Sequence, residues 1–122
     1  MALSTGVITN TRDFGTASSN IVVSTRNFDL VNPVTIMLEV FASVDSSLFY
    51  TAYLTSYVVP ANSFDVREFF IAGNVAYEVQ LDSSSVNVLF TVCGINEFGN
   101  LVEDQRYSHS ELNVIPALGP SM

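Results

Sequence analysis

The one histidine lies where catalytic chemistry would first be sought. His109 stands in the segment RYSHSEL, between Ser108 and Ser110 and two residues before Glu111. A hydrolytic site needs serine, histidine and acid side chains that hydrogen-bond in a row. Neighbouring residues of a strand point to opposite faces, so these side chains would not meet. We expect a polar strand or loop here, and a protein that is not an enzyme.

The sequence also contains few residues that could bind a metal ion or a cofactor. One histidine and one cysteine cannot build a zinc site. The segments DSS (45–47) and DSSS (82–85) could each offer a calcium ligand, but their spacing is typical of turns. The chain contains neither a GxGxxG nor a GxxxxGK[ST] motif. We therefore expect no metal and no cofactor.

Aromatic residues alternate with threonines in the segment LFYTAYLTSYVV. Phe49, Tyr53 and Tyr57 would share one face of a strand. Such a face could be covered by a second sheet or by a partner chain, or it could be a platform on which sugars stack.

Composition limits the partners. The chain has 122 residues, 12 carboxylates, four arginines and no lysine, for a net charge of −8. A negative surface repels phosphate, so we expect no nucleic-acid partner. No apolar run approaches the roughly 20 residues of a membrane span, and the first residues do not resemble a signal peptide. Polar character comes largely from serine, threonine and asparagine, which lose less free energy than ammonium groups when a neighbour buries them.

Cys93 is the single cysteine, in the apolar run VNVLFTVCGI. A lone thiol in such a run is typical of a small buried side chain. We expect it in the core of a central strand.

Apolar residues recur with a period of two along most of the chain. In PVTIMLEVFA, for example, Val34, Ile36, Leu38 and Val40 share one face. About eight such strands, separated by turn residues, are typical of a sandwich or jelly roll. The fold class is therefore all-β, a single antiparallel β-sandwich of jelly-roll type. We predict an N-terminal arm over 1–18, the sandwich over 19–116 with its last strand near 110–115, and an irregular tail over 117–122.

Two segments resemble a known family. YVVPANSFDVREFFIAGNVAYEVQL (57–81) is similar to the pilin subunits of endospore appendages from Bacillus-type spore formers. CGINEFGNLVEDQRYSHSEL (93–112) is similar to small β-sandwich proteins of spore-forming Firmicutes. The resemblance covers roughly residues 48–95 in any detail.

The resemblance implies a jelly-roll subunit stacked into a fibre on the spore surface, or in the extracellular space after assembly in the mother cell. It implies a homopolymer, a connector that inserts into the next subunit, and an anchoring protein on the spore or cell. Family members cross-link their subunits through several cysteines, two of them in the connector. Residues 1–20 contain no cysteine, so a fibre of this chain would rely on strand pairing and apolar burial.

The N-terminal arm is the expected connector. By the logic of donor-strand complementation, its apolar segment GVIT would complete an open sheet edge of a neighbour. It could instead fold back on its own domain or remain disordered. A small binding module for carbohydrate or protein, or a phage or capsid-like structural protein, are the alternative functions. The candidate interface residues of the arm are Leu3, Gly6, Val7, Ile8 and Phe14.

Overall fold

The computed structural model describes residues 1–10 and 17–120, and these residues form two antiparallel sheets. Predicted Phe14 lies outside the described residues. The described part contains no α-helix, which confirms the all-β class. The strands are β1 (Ala2–Ser4), β2 (Ile8–Thr9), β3 (Asn20–Asn27), β4 (Val34–Ser43), β5 (Tyr50–Val59), β6 (Phe64–Phe70), β7 (Ala76–Ser83), β8 (Val88–Ile95), β9 (Leu101–Tyr107) and β10 (Asn113–Ile115).

Sheet I has the strand order β10-β1-β7-β4-β5, and β2 also pairs with β7. Sheet II has the order β6-β3-β8-β9. Each pairing is antiparallel. The chain passes from β5 in sheet I to β6 in sheet II through the Pro60–Ser63 turn, so β5 and β6 lie along the same side of the molecule.

The core lies between the sheets and follows the predicted alternation. In β4, Val34, Ile36, Leu38 and Val40 are buried, as the period of two predicts. Val86 belongs to the same apolar run as β8, but it precedes the strand and is exposed. The largest fully buried side chains are Tyr77, Phe90, Ile21, Ile36, Leu38, Ile71 and Leu81.

The N-terminal segment joins sheet I of its own chain. Leu3 pairs with Leu81 of β7 on one side and with Val114 of β10 on the other. Ile8 continues the ladder opposite Tyr77, with the register shifted by one residue. Gly6 lies at this shift with φ 71°, a conformation that glycine adopts readily. The shift directs both Leu3 and Ile8 into the core, which an unbroken strand would not do.

The C-terminal tail crosses the outer face of sheet I. The Gly119 amide donates to Gln80 Oε1 at 2.7 Å. A Cβ atom at Gly119 would lie 3.3 Å from the ring of Phe41. Phe41 and Gln80 are buried although their strand positions direct them away from the core. The tail therefore covers part of this outer face.

The region after β9 differs from the predicted strand over 110–115. His109–Glu111 form a 3₁₀ turn, and the strand is restricted to Asn113–Ile115. Glu111 accepts hydrogen bonds from both the amide and the hydroxyl of Ser108 at 2.9 Å. A side chain that bonds the preceding backbone in this way favours a helical turn over an extended strand.

Candidate assembly surface

Strand β6 presents three of its four apolar side chains to solvent. Phe64, Val66 and Phe70 are 72%, 55% and 63% exposed. The intervening residues Asp65 and Arg67 lie on the opposite face and are half-buried. An amphipathic strand normally directs its apolar face to the core, so this orientation is inverted.

Contacts with β5 explain the inversion. Arg67 stacks over the ring of Tyr57 with 3.9 Å between its guanidinium carbon and the ring centroid, and its Nε bonds Asp65 at 2.9 Å. Phe69 packs against Tyr53 with ring centroids 4.9 Å apart. These side chains fill the gap between the two sheets at their β5/β6 side, and a planar guanidinium suits the face of an aromatic ring. The even-numbered residues of β6 must then face outward.

The even-numbered residues of β6 also direct their backbone N–H and C=O groups toward the free edge of sheet II. Hydrogen bonds from Ile71 to Ser19 and from Asn27 to Ser63 fix the ladder between β3 and β6. Backbone bonding alternates along an antiparallel pair, so Phe64, Val66 and Glu68 turn their N–H and C=O groups toward the free edge. The Phe70 carbonyl at the end of that edge accepts the Tyr53 hydroxyl at 2.7 Å.

The β5 edge has the same character. The Ser84 amide donates to the Thr35 carbonyl, so Thr35 and alternate residues of β4 direct their backbone groups toward β7. The residues between them bond β5, which leaves the backbone groups of Leu54, Ser56 and Val58 directed outward. Leu54 and Val58 are also exposed. Two long edge strands on one side thus combine unpaired backbone groups with apolar side chains, a combination that favours pairing with another strand.

The predicted aromatic face is covered by the chain itself. Tyr57 is buried, and its hydroxyl shares a hydrogen bond with Thr25 Oγ1 at 3.1 Å. Desolvation raises the pKa of Tyr57, because burial disfavours the phenolate. Tyr53 is partly buried against β6. Phe49 does not share this face as predicted: it precedes β5 and is partly buried beside Phe41 and the C-terminal tail, on the outer face of sheet I. Of the three open alternatives, the structure places these residues against their own sheets and tail.

The candidate interface residues of the arm differ in how far they are buried. Leu3 and Ile8 are buried in sheet I, Gly6 lies at the register shift, and Val7 is exposed. Val7 precedes β2, whereas Ile8 is the first residue of β2 and faces the core.

A buried polar network joins Asn10 and Ser18 of the arm to β7 and β9. Gln105 Oε1 accepts the hydroxyls of Ser18 at 2.6 Å and Tyr77 at 2.7 Å, and its Nε2 donates to Asn10 Oδ1 at 3.0 Å. Asn10 in turn bonds the backbone of Ser18. Gly94 lies against this cluster, where a Cβ atom would be 2.0 Å from Ser18 Oγ. Sequence reasoning missed the network because its members come from four distant segments.

The histidine has a structural role. The Phe90 amide donates to His109 Nδ1 at 3.1 Å, and the two rings stack with centroids 5.8 Å apart. This bond lies on the part of β8 that β9 does not pair with. The Ser108 hydroxyl bonds the Ser110 hydroxyl and Glu111. No catalytic set forms at these residues.

Cys93 is not in the core as predicted. It is half-buried on the outer face of sheet II, opposite Arg106. Val92 faces the core instead. A groove of about 550 Å³ lies beside Cys93, and desolvation there raises the pKa of the thiol. The thiol is therefore mainly protonated and a weak nucleophile at neutral pH.

The described residues contain no group of three or more histidine, cysteine or acidic side chains arranged to hold a metal ion. Within the same residues, no helix has the length and apolar character needed to cross a membrane. No family model, curated protein or solved structure matches this chain.

Proposed function

We propose that this protein is a structural subunit that self-assembles. The observation that carries the proposal is the inverted strand β6, with Phe64, Val66 and Phe70 exposed on an unpaired edge. Large apolar side chains beside free backbone groups are characteristic of surfaces that another protein covers. The low fraction of charged residues, 13%, supports the same function, because serine and threonine surfaces are readily desolvated.

Insertion of the N-terminal arm into a neighbouring subunit is the second part of the proposal. β1 lies between β7 and β10, so it occupies an interior position in sheet I. If arms were exchanged between copies, Leu3 and Ile8 would keep the same contacts with a neighbour's β7. Exchange therefore preserves the native packing while it links chains.

The fibre on a spore or cell surface rests on the resemblance of residues 48–95 to spore-appendage pilins. It includes the jelly-roll arrangement, export after mother-cell assembly and an anchoring protein at the fibre base. Immunogold labelling of intact spores, with an antibody raised against the purified chain, tests this part. Labelled filaments support it, and label confined to the cell interior contradicts it.

Self-assembly is tested by light scattering and negative-stain microscopy of the purified chain. The Phe64→Ser/Phe70→Ser variant is expected to shift the population at least tenfold toward monomer. Leu30→Ser/Val31→Ser is the matched control, since these loop residues are 76% and 80% exposed but lie outside the strand edges. A wild-type chain that stays monomeric at all concentrations contradicts the proposal, as does equal loss of assembly in the control.

Arm exchange is tested by disulfide trapping in a Cys93→Ser background. Ala2 lies directly opposite Asp82, so Ala2→Cys/Asp82→Cys brings two thiols within bonding distance. Exchanged arms give a ladder of covalent oligomers on a non-reducing gel. A cross-linked monomer as the sole product contradicts the exchange.

A further inference from the structure

We propose that β6 pairs with β6 of a second copy about a two-fold axis at Val66, which joins the two copies of sheet II into one continuous sheet. The inference rests on the proposed self-assembly and names the surface and register of one contact. The free backbone groups of Phe64, Val66 and Glu68 fulfil the first requirement of such a pairing. With the axis at Val66, they bond those of the second copy's Glu68, Val66 and Phe64.

Charge selects this register. Asp65 and Arg67 are separated by one residue, on the face of β6 opposite Val66. In an antiparallel pair centred on Val66, Asp65 lies directly opposite Arg67 of the second copy, once on each side of the axis. A pair centred on Arg67 would keep the same backbone bonding but would place two guanidinium groups opposite each other. The sequence Asp65-Val66-Arg67 is thus complementary to itself in one of these two arrangements.

The apolar outer face is also joined by this register. Val66 of one copy lies against Val66 of the other, and Phe64 lies opposite Glu68, whose methylene groups can cover a ring edge. Phe70 lies beyond this ladder, where its carbonyl already accepts the Tyr53 hydroxyl. The pairing therefore ends where the edge is already capped.

A two-fold contact is closed, because each copy uses the same strand. The dimer would be the repeating unit of an assembly, and a different surface must link dimers. The β5 edge and the N-terminal arm remain available for that link.

Disulfide trapping tests the register in the full-length Cys93→Ser chain. Directly opposite residues of a bonded pair have Cα atoms about 5.5 Å apart, within disulfide range. Val66→Cys is therefore expected to give a covalent dimer under mild oxidation. Glu68→Cys is the matched control on the same edge, because the two copies of residue 68 are displaced by about 13 Å along the strand.

The outcomes separate the register from self-assembly itself. Efficient dimer from Val66→Cys and at least tenfold less from Glu68→Cys supports the proposal. Oligomers in light scattering with no Val66→Cys dimer overturn the β6 pairing and leave self-assembly intact. A dimer obtained from Arg67→Cys in place of Val66→Cys overturns the register. A wild-type chain that is monomeric throughout overturns both.

Charge reversal gives an independent test. In a homodimer of Asp65→Arg, the arginines at positions 65 and 67 lie opposite arginines of the second copy. In a homodimer of Arg67→Asp, aspartates lie opposite aspartates at the same positions. Each variant alone is expected to dissociate at least tenfold more readily than wild type. When they are mixed, every arginine again faces an aspartate, so a heterodimer is expected. Failure of the mixture to associate, while wild type does, overturns the pairing.

Discussion

The two sides of the sandwich end their sheets in opposite ways. On one side, β5 and β6 are ten and seven residues long and carry exposed Leu54, Val58, Phe64, Val66 and Phe70. On the other side, β10 has three residues and precedes a proline, and the register of β9 shifts where it meets β8. Exposed Glu103 and Asp104 lie at that shift.

Short strands, bulges, charges and prolines are the usual means by which a protein prevents edge-to-edge association. They are concentrated on the β9/β10 side. β6 has a regular register with β3, and the only charge on its outer face is Glu68. One side is thus protected from pairing and the other is left open.

The two sides also differ in the side chains that fill the space between the sheets. The β9 side contains the buried amide Gln105, which bonds Ser18, Tyr77 and Asn10. The β5/β6 side is closed by Tyr53 and Arg67, which remain partly exposed. Buried networks are the more sensitive to loss of a partner, because groups left behind cannot turn to water. Point changes should therefore affect stability on the β9 side and association on the β6 side.

The largest effect on stability is expected from Gln105→Leu. The change leaves the Ser18 and Tyr77 hydroxyls without their acceptor, and it removes one of the two donors to Asn10 Oδ1, which still accepts the Ser18 amide. Each stranded buried group costs about 1–3 kcal/mol, so the free energy of unfolding should fall by roughly 2 kcal/mol or more. Urea denaturation followed by tyrosine fluorescence measures it.

Glu103→Gln is the control on the β9 side, and Tyr53→Phe is the corresponding change on the β5/β6 side. Glu103 is exposed on the same strand as Gln105, so its change should leave stability nearly unaltered. Tyr53→Phe removes one hydrogen bond on the open side, which contributes about 0.5–1.5 kcal/mol. A loss from Tyr53→Phe as large as that from Gln105→Leu would remove the proposed distinction between the sides.

The core could be predicted from the sequence because its signal is local. Alternation in Val34–Val40 identified the inner face of β4. β6 shows where this reasoning stops. Apolar and charged residues alternate over Phe64–Arg67, but the direction in which each face points depends on Tyr57 and Tyr53, which lie in a different sheet.

The arm illustrates a second limit. Val7 and Ile8 are both apolar, yet only Ile8 is buried, because Gly6 shifts the register against β7. A glycine in a sequence indicates that a shift is possible and not that one occurs. Cys93 was placed inside for a similar reason: both faces of β8 are apolar, so periodicity alone could not assign its direction.

His109→Ala is expected to have an intermediate effect. His109 accepts the Phe90 amide where β9 no longer covers β8, so it replaces a strand neighbour on the protected side. Removing the acceptor and the stacked ring should lower the free energy of unfolding by about 1–2 kcal/mol. Hydrogen exchange at the Phe90 amide should become faster. His109→Asn provides an acceptor at nearly the same position and should restore part of the loss, whereas equal loss in both variants would assign the effect to the ring alone.

The smallest effect concerns Asp29, in the loop that adjoins the β5–β6 turn on the open side. Hydrogen bonds from the backbone amides of Asn32 and Val31, together with the Asn87 side chain, lower the pKa of Asp29 to about 2. The Asp29 carbonyl also accepts the Asn62 amide of that turn. A lowered pKa means that the ionised carboxylate favours the folded state at any pH above its unfolded value of about 3.9.

That contribution should shrink as the pH falls from about 4 through the folded pKa of about 2, because the carboxylate is protonated in both states only below that value. Asp29→Asn retains an oxygen acceptor and removes the charge. The wild type should therefore be slightly more stable than Asp29→Asn at pH 6, and the difference should narrow as the pH approaches 2. Other carboxylates with lowered pKa values, such as Glu111, titrate in both proteins and cancel in the difference. Urea midpoints of the pair measured at several pH values provide the test, and a gap that stays constant from pH 6 to pH 2 would show that the charge of Asp29 does not stabilise this loop.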